Sequence, residues 1–301
     1  MTDKQDAPCA PFALPGWQVL EVVGSDATAF LQAQTMNDLR PLAAGQWQWN
    51  GWLNAKGRLI ALFMLAMFEL QRYWLIAPDF PADVLAERLQ RFVFRSKVKL
   101  TVRADLAARG RFAPPAQARG DAFANEGNDD GERTEFDLGG GGGARTLIIT
   151  GATIATTTAM HGDADTTGDA CDEDETGRWL AFDLAHGLPR LPIEQSEQWT
   201  PQMLSLERLH AFSVKKGCYP GQEIVARTHF LGKAKRVLVR LSGTTLAVGS
   251  EVLADGRTLG SIVSSDGSQA LAVLAGERPD AGWICAGLPC HERPLEEFSA
   301  A

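Results

Sequence analysis

Leu59 to Phe68 is a run of ten apolar residues, LIALFMLAMF, free of charge, glycine and proline. It is about half of the roughly 20 residues that a helix needs to span a bilayer. The turn-like Asn54-Ala55-Lys56-Gly57 precedes it and a second apolar stretch, Tyr73–Ala77, follows, so Arg58–Phe68 reads as a strand buried on both faces. Such a strand needs partners along its edges and cover on either side, and the flanking sequence supplies candidates. Pro15–Val23 alternates and ends at Gly24; Gln46–Trp52 is strand-like, with Trp47 and Trp49 on one face; Lys97–Val102 alternates charged and apolar residues. Ser25 is a candidate N-cap for a helix through Met36, and Pro81 opens a second helix with Val84, Leu85, Leu89, Phe92 and Val93 on one side.

The middle of the chain carries weaker signals. Ala107–Gly143 contains Pro114-Pro115, many charges and five consecutive glycines from Gly139, and Gly162–Glu175 is polar and acidic. Both are expected to be long loops, partly disordered, with a strand at Arg145–Thr150 between them. Order is expected to return at Trp179–Asp183, so that Trp17 and Trp179 both begin strands. Thr200-Pro201 opens a short helical segment with Met203, Leu204 and Leu206. From Lys235 onward, Asp255-Gly256 and Asp266-Gly267 are hairpin turns between short strands, which predicts a small antiparallel barrel or sandwich.

Charge is distributed unevenly along the 301 residues. The net charge is −8, yet Asp121–Arg178 holds fourteen Asp/Glu against three Arg, a net of −11. Glu207–Arg240 is the basic segment, with eight Lys/Arg against two Glu, a net of +6. The overall acidity argues against general nucleic-acid affinity, and the basic segment suits a small anionic ligand or an anionic partner surface. Five scattered cysteines do not form a secreted disulfide framework, and the N-terminus has no apolar signal core. A cytoplasmic protein with no membrane association is expected.

Within the basic segment lies Lys215-Lys216-Gly217-Cys218-Tyr219-Pro220-Gly221-Gln222-Glu223. Pro220 suits the first turn of a helix that Gln222–Phe230 can continue. Helix N–H groups and nearby ammonium groups both favour thiolate over thiol, which makes Cys218 a candidate reactive or ligating sulfur. The plainer alternative is a small buried residue. Cys285-x4-Cys290-His291 does not follow a standard zinc spacing, and no metal site is expected there.

Four blocks together carry a family resemblance: Phe30–Asp38, Leu53–Arg58, Trp179–Pro189, and Pro201–Leu204 continued through the Cys218 motif to Thr228–Lys233. In order and content they resemble the YgfZ family of folate-binding proteins, relatives of the glycine-cleavage T-protein (the GcvT superfamily). The resemblance implies an α+β, three-domain ring of the GcvT type, with two antiparallel α/β domains and a C-terminal β-barrel. The expected divisions are 12–105 for an N-terminal folate-binding domain completed by parts of 179–233, 106–200 for a central domain, 201–233 for the cysteine segment and 234–298 for the barrel. It further implies tetrahydrofolate as ligand and a role in maturing or repairing iron–sulfur enzymes, tRNA-modifying enzymes among them. The partners would then be folate and iron–sulfur enzymes or assembly factors, without direct nucleic-acid contact, and the chain would be a monomer. By position, Trp17 and Trp179 match the family's folate-contacting tryptophans and Cys218 its required cysteine.

A pterin and its anionic tail need flat walls, a few polar groups for the ring edge and a cationic mouth. Trp17 and Trp179 are the candidate walls. Asn37, Gln202, Gln222 and Glu223 are candidate edge binders, and Lys215, Lys216 and Arg227 could meet the tail. The competing roles are core packing for the tryptophans, helix capping for Asn37 and a solvated face for the lysines. One departure bears on activity. Where the T-protein carries an acid after the turn, this chain reads Leu59-Ile60-Ala61-Leu62-Phe63. Without that acid, aminomethyl transfer is not expected. A folate-dependent one-carbon transferase and a non-catalytic adaptor are the alternatives to a maturation factor.

Overall fold

The apolar run lies inside a five-stranded antiparallel sheet. The computed structural model describes residues 10–117, 121–128, 131–151, 168–232, 235–280 and 282–298. The first sheet comprises β2 (Trp17–Val23), β3 (Gln46–Leu53), β4 (Leu59–Glu69), β5 (Arg72–Pro78) and β6 (Lys99–Val102), in the order β3-β4-β5-β2-β6. Every residue of β4 from Leu59 to Met67 is buried. Strand alternation sends Leu62, Met64 and Ala66 into a core shared with Trp17, Trp49 and Trp74. Ala61, Phe63, Leu65 and Met67 face the opposite way, toward Leu31, Leu85 and Leu89. The latter belong to α1 (Ala27–Gln34) and α2 (Ala82–Val93), which cover the outer face of the sheet. Asp26, not Ser25, is the N-cap of α1, and the helix stops at Gln34 rather than Met36. In α2, Phe92 departs from the expected apolar side: it is half exposed and meets Trp52 edge-on.

The second sheet corrects the expectation of a long loop over Ala107–Gly143. It contains β1 (Phe12–Ala13), β7 (Leu106–Arg111), β8 (Phe123–Asn128), β9 (Gly131–Asp137) and β10 (Thr146–Gly151), all antiparallel in the order β1-β7-β10-β9-β8. Its buried face is thin: Phe136, Leu147 and Ile149 carry most of it, so the strands show little apolar alternation in sequence. The second acidic stretch is corrected in part, because α3 (Gly168–His186) starts within it; residues 162–167 lie outside the described set. Trp179 is therefore a helical residue and not the start of a strand. Leu, Ala and Phe at 180–182 accommodate either state locally, and within the helix Asp183 is buried against Arg145 and Arg190.

The third unit is a closed antiparallel barrel of β11 (Arg236–Leu246), β12 (Glu251–Ala254), β13 (Arg257–Ser265), β14 (Gly267–Ala275), β15 (Ile284–Cys285) and β16 (Leu288–Arg293). Asp255 and Gly256 both have positive φ, 50° and 72°, as a two-residue hairpin turn requires. Cys285 and Cys290 are buried among the barrel's apolar side chains. Between Thr200 and the barrel, the expected helical segment is a series of turns with one 3-10 turn at Leu206–Leu209, followed by α4 (Gln222–Leu231). No helix among the described residues is long and apolar enough to cross a membrane.

Candidate functional site

The predicted site residues divide between two places. The first is a cavity of about 400 Å³, within the range of ordinary small-molecule sites, at the junction of β2, the end of β5, α3 and the barrel. Trp17 and Trp179 both line it, with Asp79, Arg190, Val263 and Ser264. Trp17 begins β2, opposite Pro78 of β5. Trp179 is fully buried, edge-on to Phe12 and Phe112, with the Arg145 guanidinium 4.2 Å from its ring centre. Packing therefore accounts for much of each tryptophan, as the core alternative holds. Packing leaves one thing over: neither indole Nε1 has a hydrogen-bond partner among the described residues. Both nitrogens are sealed from solvent, as is that of Trp52, which lies outside the cavity.

Behind the two indoles runs a line of alternating charges. Arg145 pairs with Asp183 at 2.6 Å, both fully buried; Arg190 reaches Asp183 at 3.2 Å and Asp79 at 2.6 Å. Burial pulls the Arg145 guanidinium below its ordinary pKa, against the pull of Asp183. Burial acts on Arg190 in the same sense, but Asp183 and Asp79 outweigh it and its pKa is raised. None of these four was a predicted site residue. The available signal was Asp183 itself, a carboxylate inside the apolar stretch Trp179–Ala185, which has to find a buried cation.

The second place is the Cys218 loop, and three of the four sequence blocks meet there. Lys216 turns inward and donates from Nζ to the carbonyls of Thr35 at 2.6 Å and Asn37 at 2.9 Å. Asn37 donates to the carbonyls of Trp49 and His210 and accepts from the Asp38 N–H. Gly221, φ 78°, caps α4 and lies against the Asn54–Gly57 turn; a Cβ there would stand 2.5 Å from the Asn54 carbonyl oxygen. Tyr219 is buried, with its hydroxyl on the Ser213 carbonyl. With Lys216 and Tyr219 held inward, Gly217 and Cys218 are presented to solvent between them.

Several expectations change accordingly. The helix starts at Gln222, so Pro220 precedes it and Cys218 stands outside its first turn. The Lys216 ammonium is engaged with backbone carbonyls and does not face a ligand tail; burial brings its pKa down to about 8. Asn37 is spent in backbone ties beyond the end of α1 and caps nothing there. Gln222 donates to the Lys216 carbonyl. Lys215, Glu223 and Arg227 are exposed on the loop and on α4. Gln202 donates to the Val225 carbonyl and lines a separate hollow of about 310 Å³ with Phe212, Thr228 and His229. None of these residues, and not Cys218, lines the tryptophan cavity.

No family model matches the chain. It is 30% identical over 251 residues to the tRNA-modifying protein YgfZ of Klebsiella pneumoniae, covering 80% of this chain and 74% of that protein. It is 29% identical over 287 residues to the tRNA-modifying protein YgfZ of Cronobacter sakazakii, covering 93% and 84%. The glycine cleavage system aminomethyltransferase T of Bartonella henselae has the same fold, with a TM-score of 0.74 over 97% of this chain and 88% of that one at 16% identity. The expected GcvT-type architecture is thus the observed one.

Proposed function

This chain belongs to the YgfZ family of tRNA-modifying proteins, and from that premise we propose that it binds tetrahydrofolate and supports the maturation or repair of iron–sulfur enzymes through the Cys218 thiol. Enzymes that modify tRNA are among its expected clients. The observation that carries the folate reading is the convergence of Trp17 and Trp179, from different parts of the fold, on one cavity. The residues fit the group: the indoles are flat walls, and Asp79 supplies a polar edge. Bound tetrahydrofolate would bring a carrier for one-carbon units. The position where an aminomethyltransferase acid is expected is instead the buried apolar start of β4, so the protein's own reactive group is Cys218, exposed on its braced loop. A single thiol does not hold a cluster alone. The reading is therefore of a thiol that engages a client or its iron–sulfur precursor transiently.

Two measurements test this. Tetrahydrofolate should quench the intrinsic tryptophan fluorescence, and Trp17→Ala/Trp179→Ala, checked for folding by circular dichroism, should lose that quenching; undiminished quenching would remove the cavity from the reading. Cys218→Ser should keep folding and folate binding while failing to restore iron–sulfur enzyme activity in a deletion strain. Full restoration would take the thiol out of the mechanism.

A further inference from the structure

A cavity walled by two indoles would accept many flat molecules, and the polar side chains expected to choose among them are all elsewhere in the fold. One carboxylate does line it. Asp79 follows directly on β5 with φ 63°, in the left-handed region that non-glycine residues seldom occupy. Several contacts hold it there. Its N–H donates to the Gly16 carbonyl at 2.7 Å. Arg190 Nη2 donates to Oδ1 at 2.7 Å, and Arg190 Nε stands 2.6 Å from Oδ2. Backbone strain maintained by such contacts clusters at functional positions.

The surroundings leave this carboxylate free to take a ligand. Gly16 makes room for it, since a Cβ on residue 16 would lie 2.2 Å from Oδ1. The side chain is 27% exposed where Asp183, at the other end of the Arg190 bridge, is sealed. Arg145, Asp183, Arg190 and Asp79 together carry no net charge, so the site calls for a neutral donor and not a cation. A carboxylate has about four acceptor positions. The Arg190 Nη2 hydrogen bond takes one of them, on Oδ1, and Nε stands close to Oδ2 without hydrogen-bonding to it, so positions remain for a ligand N–H.

We propose that Asp79 is the specificity-determining residue of the tryptophan cavity, accepting an N–H from the exocyclic amino group of a flat heterocycle held between Trp17 and Trp179. For a pterin this is the 2-amino group. The proposal rests on the folate reading above and adds to it the group that distinguishes a pterin from a ring of the same shape without the amine.

The test compares tetrahydrofolate with its 2-desamino analogue by fluorescence titration of the full-length protein. The wild-type protein should bind tetrahydrofolate about 30-fold more tightly than the analogue, the size of one hydrogen bond to a charged acceptor. In Asp79→Asn the amide turns its oxygen to Arg190 and its NH₂ to the ligand, and the ratio should fall to within about threefold. Gly16→Ala, which displaces Oδ1 but keeps the carboxylate, should lower the ratio too and serves if Asp79→Asn does not fold. Because each ratio is read within one protein, altered stability cancels. A wild-type protein that binds both ligands equally would leave the folate reading standing and overturn the role of Asp79, as would an undiminished ratio in both variants. A wild-type protein that binds neither would overturn both.

Discussion

Replacing Lys216 by methionine removes a buried ammonium that ties the Cys218 loop to the segment following α1. Only 3% of Lys216 is exposed, and its Nζ makes two hydrogen bonds, to the Thr35 and Asn37 carbonyls. Burial lowers its pKa from 10.5 to about 8; Asp38 pulls it back up and Arg40 pushes it further down. Below pH 8 the folded and unfolded chains are both protonated, and the folded one bears the full penalty of a buried charge. Between pH 8 and 10.5 the unfolded chain holds a proton that the folded chain has released, so stability rises with pH. Above 10.5 the penalty is gone. At about 1.4 kcal/mol per pKa unit the rise amounts to roughly 3 kcal/mol across that window. Tyr219, whose ring centre lies 5.0 Å from Nζ, is pushed up to about 12 by burial and stays neutral over the same range. The assay is urea unfolding of the wild type and of Lys216→Met from pH 7 to 10.5, with titrations common to both removed by subtraction. The wild-type advantage should grow by about 3 kcal/mol between pH 8 and 10.5. A difference that stays level across this range would refute the placement of Lys216 as a buried, destabilised ammonium.

Two further substitutions probe the frame around each centre. Asp183→Asn removes the carboxylate shared by Arg145 and Arg190 and leaves Arg145 fully buried without a counter-charge; a loss of about 3–5 kcal/mol is expected in urea unfolding, and a loss below about 1 kcal/mol would contradict the buried ion pair. Gly221→Ala places a Cβ at φ 78° against the Asn54 carbonyl and the Gly57 Cα, and should lower stability by about 1–3 kcal/mol; an unchanged melting temperature would mean that the two turns do not meet as described.

Part of this molecule could be read from residues alone. The ten-residue run at Leu59–Phe68 specifies a central strand because nothing in it tolerates water, and period-two alternation then assigns its two faces. Asp255-Gly256 specifies a hairpin because only such residues take positive φ in succession without strain. The Cys218 motif was legible as a unit, since its glycines and lysines have no reason to cluster in an ordinary loop. The second sheet was not, because its strands bury only one thin face and carry charge on the rest. Nor was the helical state of Trp179, whose neighbours suit helix and strand alike.

The sequence by itself determined which stretches must be buried, where the chain turns and which thiol stands in a basic setting; these follow from local chemistry. Only the tertiary structure decided which residues share a site. It turned Lys216 inward onto backbone carbonyls 181 and 179 residues away in the chain, left Cys218 outside on its braced loop, and brought Asp79 and Arg190 to the tryptophan cavity. The physical reason is that a polar side chain is claimed by whichever unsatisfied partner folding brings within reach. That partner can lie anywhere in the chain, so residue type indicates what a group can do, and the packing of three units around it determines what it does.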